Sequence, residues 1–377
     1  MRYLVLTNTP AHVHLYKHAV RELVADGHEV LILARDYGCT VALLDEYGLP
    51  YRVYGECGTT KGSLLKNLPA QFTRILTVAR SFDPDLVFGM GAYAAFAGAC
   101  TRTRTILVLD SEPTGLDHSL SVPVAAAVLT PAAFRNDLGD THYVFDGFKE
   151  CAYLHPDVFE PAPDVRTRLG LDPDERFVVV RFNAFGSHHD VGHGGFSPTD
   201  RHRLVTHLAE HATVLVSDEG GDSDLSGLPA RRYEAHPALL HDALAAASLL
   251  VADTQTMVTE AALVGTPAIR SNSFVGEDDM GNFVELERRG LIRNCRTLDG
   301  VCDAADEFLG SPAVVTEWAA RQEEYVHSLV DLTDVLTSVA ADPTGLDGVE
   351  GLRRRGAGDD DALTPTQSRD GRGSPAR

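Results

Sequence analysis

Three polar residues between a predicted strand and a predicted helix form the clearest candidate phosphate site in the chain. They follow an apolar run that ends at Asp253, and a helix-favouring run follows them: Thr254, Gln255 and Thr256. Gly265 is the expected C-cap of this helix and Pro267 its stop. Such a turn directs free backbone N–H groups and the positive end of a helix dipole at one point, which suits a phosphate. The alternative is an ordinary strand-to-helix corner of a parallel sheet.

Glu260 lies about one turn into the same predicted helix. A carboxylate at that position could accept hydrogen bonds from a ribose diol next to the bound phosphate. The alternative is a solvated helix residue with no ligand.

A histidine follows the first predicted strand, in the segment Thr7–His14. Pro10 is expected to end the strand, so His12 should lie on a loop at its C-terminal edge and His14 should begin the helix. His12 could act as a general base, because the unperturbed pKa of histidine lies near neutrality. The alternative is a histidine that caps or packs against the start of the helix.

Two carboxylates follow another predicted strand end, in Leu109–Pro113. If the strand persists, Asp110 and Glu112 share one face of it, since side chains alternate along a strand. Either could serve as an acid, as a base or as a holder of a sugar hydroxyl. The alternative is an Asx-type turn at Asp110 ahead of the proline.

An arginine and a histidine-rich loop follow the first strand of the second half. Arg181 is expected to meet a diphosphate, which a planar guanidinium binds through two parallel hydrogen bonds. His189 and His193 have helical spacing, but the surrounding glycines disfavour a helix and no glutamate follows His189, so we expect no metal site there. The segment is expected to be a mobile substrate loop or a structural loop.

The elements that would position these groups alternate between strand-like and helical runs, which predicts parallel sheets with helices on both faces. A proline-rich segment between Asp146 and Asp174 is expected to be a linker. We therefore predict an N-terminal domain over 1–155, a C-terminal domain over 156–340 and a disordered tail over 341–377. Two doubly wound domains of this kind bind their ligand in the cleft between the C-terminal ends of their strands.

Composition narrows the class of protein. The 377 residues carry a net charge of −21, with 33 basic and 54 acidic residues, which argues against a nucleic-acid partner. Only four of the basic residues are lysines, a pattern typical of proteins that work at high salt. There is no apolar run long enough to span a membrane, and Met1-Arg2 leads straight into a strand-like run, Tyr3–Leu6, that is too short for a signal peptide, so we expect a cytoplasmic protein. The six cysteines include no Cys-x-x-Cys pair and are expected to be free thiols.

Taken together, several segments resemble an uncharacterised, largely archaeal domain family related to UDP-N-acetylglucosamine 2-epimerases and GT-B glycosyltransferases. The matching segments are Asn8–Val13, Gly27–Val30, Phe148–Leu154, Val180–Phe185, His189–Asp190, Asp253–Ala262 and Asn272–Gly276.

The resemblance implies a GT-B fold, that is, two Rossmann-like domains with a cleft between them, and a nucleotide held mainly by the second domain. It implies that Thr254–Met257 meets the diphosphate, Met257 included, and that Glu260 meets the ribose. His189 falls in a matching segment and is assigned to the same nucleotide site. Glu112 falls where the epimerases carry a glutamate.

The function expected from the resemblance is transfer from a nucleotide-diphospho-sugar, UDP-linked, in surface glycan or glycolipid synthesis. His12 would be the base, with Asp110 and Glu112 as the other catalytic candidates. The acceptor would be a glycan or a lipid-linked molecule, which allows peripheral membrane association, and no metal or other cofactor is expected.

Two alternatives remain, a 2-epimerase acting on the same donor and a non-catalytic sugar-nucleotide binder. Against the first, the epimerases carry an acidic residue in the turn after the strand matched by Asp85–Phe88. This chain has Gly89-Met-Gly91 there, and it shows no counterpart of their later Glu-Asn-Arg segment.

Overall fold

A computed structural model describes residues 1–56, 61–183, 194–218, 224–276 and 279–356, without the side chains of 61–66. Its strands and helices alternate and form two sheets, which confirms the predicted α/β class. The strands are mostly continuous apolar runs, as is typical of parallel strands covered by helices on both faces.

The first sheet is built mainly from the first half of the chain. Its strands in this half are β1 (Arg2–Thr7), β2 (Glu29–Asp36), β3 (Tyr51–Glu56), β4 (Leu86–Gly89), β5 (Arg104–Val108), β6 (Ala127–Pro131) and β7 (His142–Phe145). The helices between and after them are α1 (Pro10–Ala25), α2 (Thr40–Glu46), α3 (Lys61–Phe82), α4 (Ala92–Thr101), α5 (Gly115–Ser121), α6 (Cys151–Leu154) and α7 (Val165–Arg168).

The second sheet follows in the second half. Its strands are β8 (Phe177–Phe182), β9 (Thr213–Asp218), β10 (Ala230–Arg232), β11 (Leu250–Ala252), β12 (Ala268–Arg270) and β13 (Ile292–Asn294). The helices are α8 (Pro198–Leu208), α9 (Leu240–Ala246), α10 (Thr256–Leu263), α11 (Gly281–Arg288), α12 (Leu298–Gly310), α13 (Pro312–Val326) and α14 (Leu332–Ala341). Short 3-10 turns span Val122–Val124, Pro237–Leu239 and Leu346–Gly348.

In both sheets, successive strands are first added towards one edge, and the chain then returns to the middle and adds strands towards the other edge. The second runs β10-β9-β8-β11-β12-β13, and the first contains β3-β2-β1-β4-β5-β6 followed by β7. In such sheets the ligand crevice opens at the C-terminal ends of the two strands where the order reverses. These pairs are β1 and β4 in the first sheet, and β8 and β11 in the second.

Helix α1 corrects the predicted position of His12. The helix begins at Pro10, with Thr9 in an extended conformation as its N-cap. His12 therefore lies in the first helical turn and not on a loop, and His14 lies inside the helix. The reason is that the fixed φ of proline suits the first helical position, where the missing N–H costs nothing.

The predicted linker is packed rather than exposed at its start. Phe148 and the whole of α6 are buried, and the Thr333 hydroxyl on α14 donates to the carbonyl oxygen of Ala152 at 2.8 Å. Helix α14 also packs against α1, so the last helix of the predicted second domain covers the first sheet. The domain boundaries stay a prediction.

The first part of the predicted tail contains a strand, where the composition predicts disorder. The strand β14 (Leu352–Arg354) pairs antiparallel with β7 at the edge of the first sheet. Leu346 and Leu352 are buried there, and these apolar contacts explain why the chain stays ordered to Gly356. Residues 357–377 lie outside the described residues. In the part of the chain that the structure describes, no helix combines the length and apolar character needed to cross a membrane.

Candidate functional site

The N-terminus of α10 opens at the point where the second sheet reverses its strand order. Gln255 is the N-cap, and the helix begins at Thr256 directly after β11. Thr254, Gln255 and Thr256 are half-buried, whereas Met257 is buried. The Thr254 hydroxyl has no hydrogen-bond partner among the described residues. Gly265 follows the helix with a left-handed φ of 90°, which confirms the predicted C-cap.

Asp253 connects the C-terminal ends of β8 and β11 at this reversal point. It is buried at the end of β11, and its carboxylate accepts hydrogen bonds from the backbone N–H groups of Asn183 at 2.6 Å and Phe196 at 3.3 Å. Burial raises the pKa of Asp253 to about 6, against the hydrogen bond from Asn183. Asn183 and Phe196 stand on either side of residues 184–193 in the sequence, and this carboxylate holds both of them at the end of β11. His189 lies within it, outside the described residues.

Arg181 lies on β8, and its guanidinium donates to the Ser217 hydroxyl at 2.8 Å. Ser217 belongs to β9, on the side of β8 away from α10. The predicted contact of Arg181 with a diphosphate stays a prediction.

Glu112 reaches from the first sheet to the second. Its Oε1 accepts hydrogen bonds from the backbone N–H of Gly281 at 3.0 Å and of Arg135 at 3.2 Å. Because Gly281 is the first residue of α11, the carboxylate meets the positive end of that helix dipole. Strand β5 ends at Val108, so Glu112 and Asp110 do not share a strand face as predicted but face different partners.

A buried ion pair lies directly before α11, next to the helix start that Glu112 contacts. Arg270, at the end of β12, has no exposed surface, pairs with the Asp279 carboxylate and stacks on the Phe283 ring at 3.8 Å from its centroid. Burial raises the pKa of Asp279, although Arg270 opposes this. The Asp279 carbonyl oxygen accepts a hydrogen bond from the Arg135 guanidinium. The sequence offered no local signal for this arrangement.

Asp110 belongs to a charged cluster that sequence reasoning missed. Lys149 pairs with Asp110 and lies 3.5 Å from the Glu150 carboxylate, with both lysine and glutamate buried. Burial raises the pKa of Glu150 to about 7, against the charge of Lys149. Burial alone would lower the pKa of Lys149, but the two carboxylates outweigh it and raise that pKa. The sequence does contain a signal for this cluster, because Lys149 is one of only four lysines and lies in Phe148–Leu154, a segment that carries the family resemblance.

His12 is half-buried near this cluster. Its Nδ1 accepts a hydrogen bond from the Asn8 backbone N–H at 3.1 Å, so a neutral ring carries its proton on Nε2. Burial, and then the charge of Lys149, lower the pKa of His12 to about 3. The pKa of His12 in the folded chain thus lies below the unperturbed value that motivates a base role, and in this tautomer Nε2 is a hydrogen-bond donor. The role of His12 stays a prediction.

Glu260 is buried with only 3% of its surface exposed. Its Oε1 accepts a hydrogen bond from the Tyr153 hydroxyl at 2.8 Å and lies 3.0 Å from Nε2 of His241. The His14 ring packs against both of these aromatic rings. Burial alone would raise the pKa of Glu260, but His241 and then Tyr153 outweigh it and lower that pKa. The predicted ribose contact would require these partners to release the carboxylate, and it stays a prediction.

The turn Gly89–Gly91 after β4 has no acidic residue of its own, but an aspartate from another segment lies beside it. Asp117, on α5, accepts a hydrogen bond from the Ala92 backbone N–H at 3.0 Å and so caps α4. A Cβ atom at Gly91 would overlap this carboxylate. The sequence separation of the two segments hid this proximity.

The structure thus brings Glu112 to the start of α11 and collects Asp110 and His12 around Lys149. It places Thr254–Met257 at the reversal point of the second sheet. It directs Arg181 and Glu260 towards other protein groups.

Comparison with known proteins gives partial sequence matches. No protein-family profile matches the sequence. Over 229 residues, 58% of this chain, it is 22% identical to an uncharacterised protein of Methanocaldococcus jannaschii, of which it covers 66%. Over 169 residues, 41% of this chain, it is 32% identical to the UDP-N-acetylglucosamine–N-acetylmuramyl-(pentapeptide) pyrophosphoryl-undecaprenol N-acetylglucosamine transferase of Nitratidesulfovibrio vulgaris, of which it covers 45%. The chain covers less than two thirds of either curated relative.

Similarity to solved structures extends over most of the chain. Spinosyn forosaminyltransferase matches with a TM-score of 0.65 at 14% identity, over 90% of this chain and 98% of that protein. UDP-GlcNAc 2-epimerase from Neisseria meningitidis, bound to UDP-GlcNAc, matches with a TM-score of 0.60 at 11% identity, over 87% of this chain and 99% of that protein. The chain has the GT-B fold of these glycosyltransferases and epimerases, which confirms the resemblance predicted from the sequence.

Proposed function

We propose that this chain is a glycosyltransferase-like enzyme that uses a nucleotide-diphospho-sugar, UDP-linked, as its donor. The observation that carries the proposal is the position of α10, whose N-terminus opens at the β8–β11 reversal point, where the Thr254 hydroxyl has no partner among the described residues. Free N–H groups at a helix N-terminus suit a diphosphate. The enzymes with the same fold are named as sugar transferases or epimerases.

In this proposal the diphosphate lies against Thr254, Gln255, Thr256 and the first turn of α10. The acceptor hydroxyl oxygen bonds to the anomeric carbon of the sugar, and the bond from that carbon to the diphosphate oxygen breaks. The helix dipole and the threonine hydroxyls stabilise the negative charge of the leaving group, since donors fixed in advance cost no reorganisation. Arg181, on the neighbouring strand β8, adds a positive charge beside them.

The acceptor proton goes to Asp110 rather than to His12. Asp110 retains an oxygen that is not the one paired with Lys149, and its side chain is 13% exposed. Lys149 and Glu150 position that carboxylate, whereas His12 presents an Nε2–H that donates to substrate. Glu112 links the segment after β5 to the start of α11. The acceptor is a glycan or lipid-linked hydroxyl, and no metal is required in the cleft.

A UDP-N-acetylglucosamine 2-epimerase is the second candidate, and the position of Asp117 favours it. The sequence comparison weakened this function because the turn after β4 lacks an acidic residue. Asp117 brings a carboxylate to that turn from α5. Proton transfer at C2 of the sugar needs such a group, whereas simple transfer does not.

Binding is tested first, by thermal unfolding of the full chain at high salt with UDP, dTDP or GDP. A ligand at about 100 times its Kd adds roughly 2.7 kcal/mol to the free energy of unfolding, which raises the unfolding temperature. Thr254→Val should weaken UDP binding by about tenfold, because the hydroxyl–phosphate hydrogen bond is lost. Thr206→Val, on the exposed face of α8, is the matched control. Absence of a shift with every nucleotide would refute both functions.

Reaction products then separate the candidates. With UDP-GlcNAc alone, a 2-epimer indicates an epimerase, and release of UDP only when an acceptor is added indicates transfer. Asp110→Asn should abolish transfer while preserving UDP binding, and the exposed helix-end variant Asp26→Asn should change neither. Nucleotide binding without any turnover would indicate that the protein is a non-catalytic sugar-nucleotide binder.

A further inference from the structure

Two histidines and an aspartate converge on the surface of the second sheet, outside the cleft. Nε2 of His207 lies 2.8 Å from Oδ1 of Asp306, and Nε2 of His211 lies 3.0 Å from the same oxygen. One candidate ligand atom from each residue lies within 4.8 Å of the others. His207 is in the last turn of α8, His211 follows four residues later, and Asp306 is on α12.

This donor set has the chemistry of a transition-metal site. Imidazole nitrogens suit zinc, copper and nickel, whereas magnesium and calcium prefer oxygen ligands. Two histidines and one carboxylate are a common protein ligand set for zinc, with water in the fourth position. The three side chains are 27%, 31% and 48% exposed, so an ion and its water can reach them.

We propose that His207, His211 and Asp306 bind one Zn²⁺ ion, which links α8 to α12. The two Nε2 atoms now directed at one carboxylate oxygen would each coordinate the metal through a lone pair, their protons moving to Nδ1 or to solvent as the ion binds. No large movement is needed, because the donor atoms already face a common point.

The position of the site indicates a structural role. Helix α8 leads into the N-terminal end of β9, so His207 and His211 lie at the sheet edge opposite the reversal point where α10 begins. The ion would fasten two helices that are also joined at the surface by the exposed Arg203–Asp299 pair at 3.2 Å. Exposed pairs of that kind contribute little to stability. The proposal is independent of the function proposed for the cleft.

Calorimetric titration of the metal-free full chain with ZnCl₂ tests the site, with MgCl₂ as the comparison ion. Because the chain holds 16 histidines, the decisive readout is the difference between variants. We expect His207→Ala and His211→Ala each to weaken the tightest zinc site by roughly 100-fold or more, since even outer-shell changes cost 10–100-fold. His202→Ala removes an exposed histidine of the same helix and should leave zinc binding unchanged.

Thermal unfolding provides a second readout that does not depend on counting sites. Zinc should raise the unfolding temperature of the native chain and of His202→Ala, but not that of the His207→Ala/His211→Ala double variant. Equal zinc stoichiometry and affinity in the native chain and the double variant would overturn the proposal. So would the absence of zinc binding by the native chain, or equal binding of Mg²⁺.

Discussion

Replacing Glu150 by glutamine should change how the stability of the protein depends on pH. Glu150 is 2% exposed, and one of its carboxylate oxygens has no hydrogen-bond partner among the described residues. Its pKa is raised to about 7 in the folded chain from 4.5 for an unperturbed glutamate, because burial disfavours the charged form. The folded protein therefore retains a proton on Glu150 that the unfolded chain releases at lower pH.

The sign and size of the effect follow from these two pKa values. Stabilisation by the protonated form is complete below pH 4.5 and is lost as the pH rises through about 7. Each pKa unit corresponds to about 1.4 kcal/mol, so the native chain should lose roughly 3 kcal/mol of unfolding free energy across this range. Glu150→Gln imitates the neutral form and should not show this loss.

Urea denaturation followed by circular dichroism at pH 5 and pH 8 measures the difference between the two proteins. Subtracting the variant from the native chain cancels the general repulsion among the other charges, which both proteins share. Glu46→Gln, an exposed substitution on α2, serves as the control and should follow the native pH dependence. If native chain and Glu150→Gln lose stability in parallel between these pH values, the buried carboxyl is not protonated as argued.

Three further predictions concern other buried contacts. Glu260→Gln should lower the free energy of unfolding by about 1–3 kcal/mol at pH 7, as expected for weakened hydrogen bonds to a charged group. Because the pKa of Glu260 is lowered in the folded chain, the difference in unfolding free energy between the native chain and this variant should narrow below pH 4.5 in the same urea assay. A difference that does not change with pH would contradict this. Asp279→Asn leaves the buried charge of Arg270 without its counter-ion and should cost about 3–5 kcal/mol; a thermal unfolding midpoint close to that of the native chain would show that the pair contributes little. Gly281→Ala drives a methyl group into the carbonyl oxygen of Ala133, so faster limited proteolysis and a loss of about 1–3 kcal/mol are expected, and unchanged proteolysis would refute the close approach.

Local sequence patterns were sufficient for most of the strands and helices. The apolar run before Asp253 is β11, and the polar turn followed by a helix ending near Gly265 is α10. These elements are predictable because their signals are local: apolar runs for buried strands, glycine for the left-handed C-cap and proline for a helix start or stop. The same rule, applied fully to Pro10, would have placed His12 in the helix.

Weaker local signals explain why two segments are packed in the structure although their composition predicts a linker or a disordered tail. The segment around Leu346 and Leu352 is rich in glycine and charge, which predicts disorder, yet both leucines are buried and β14 pairs with β7. The segment around Phe148 follows the first domain and precedes several prolines, which predicts a linker, yet it is packed. In both cases an existing surface elsewhere in the fold supplied the apolar contacts that the segment itself lacks.

The sequence by itself determined the α/β class, the run of strands and helices, and the position of a phosphate-suited turn at Thr254–Thr256. Only the tertiary structure decided what the charged side chains contact. Glu112 meets Gly281 across a separation of 169 residues, and Tyr153 meets Glu260 across 107. Secondary structure follows from interactions between neighbours along the chain, whereas burial, charge pairing and pKa follow from neighbours in space. For that reason the sequence could name His12 and Asp110 as candidates, but only the fold showed that Asp110 pairs with Lys149 and that the Nδ1 atom of His12 accepts a backbone hydrogen bond.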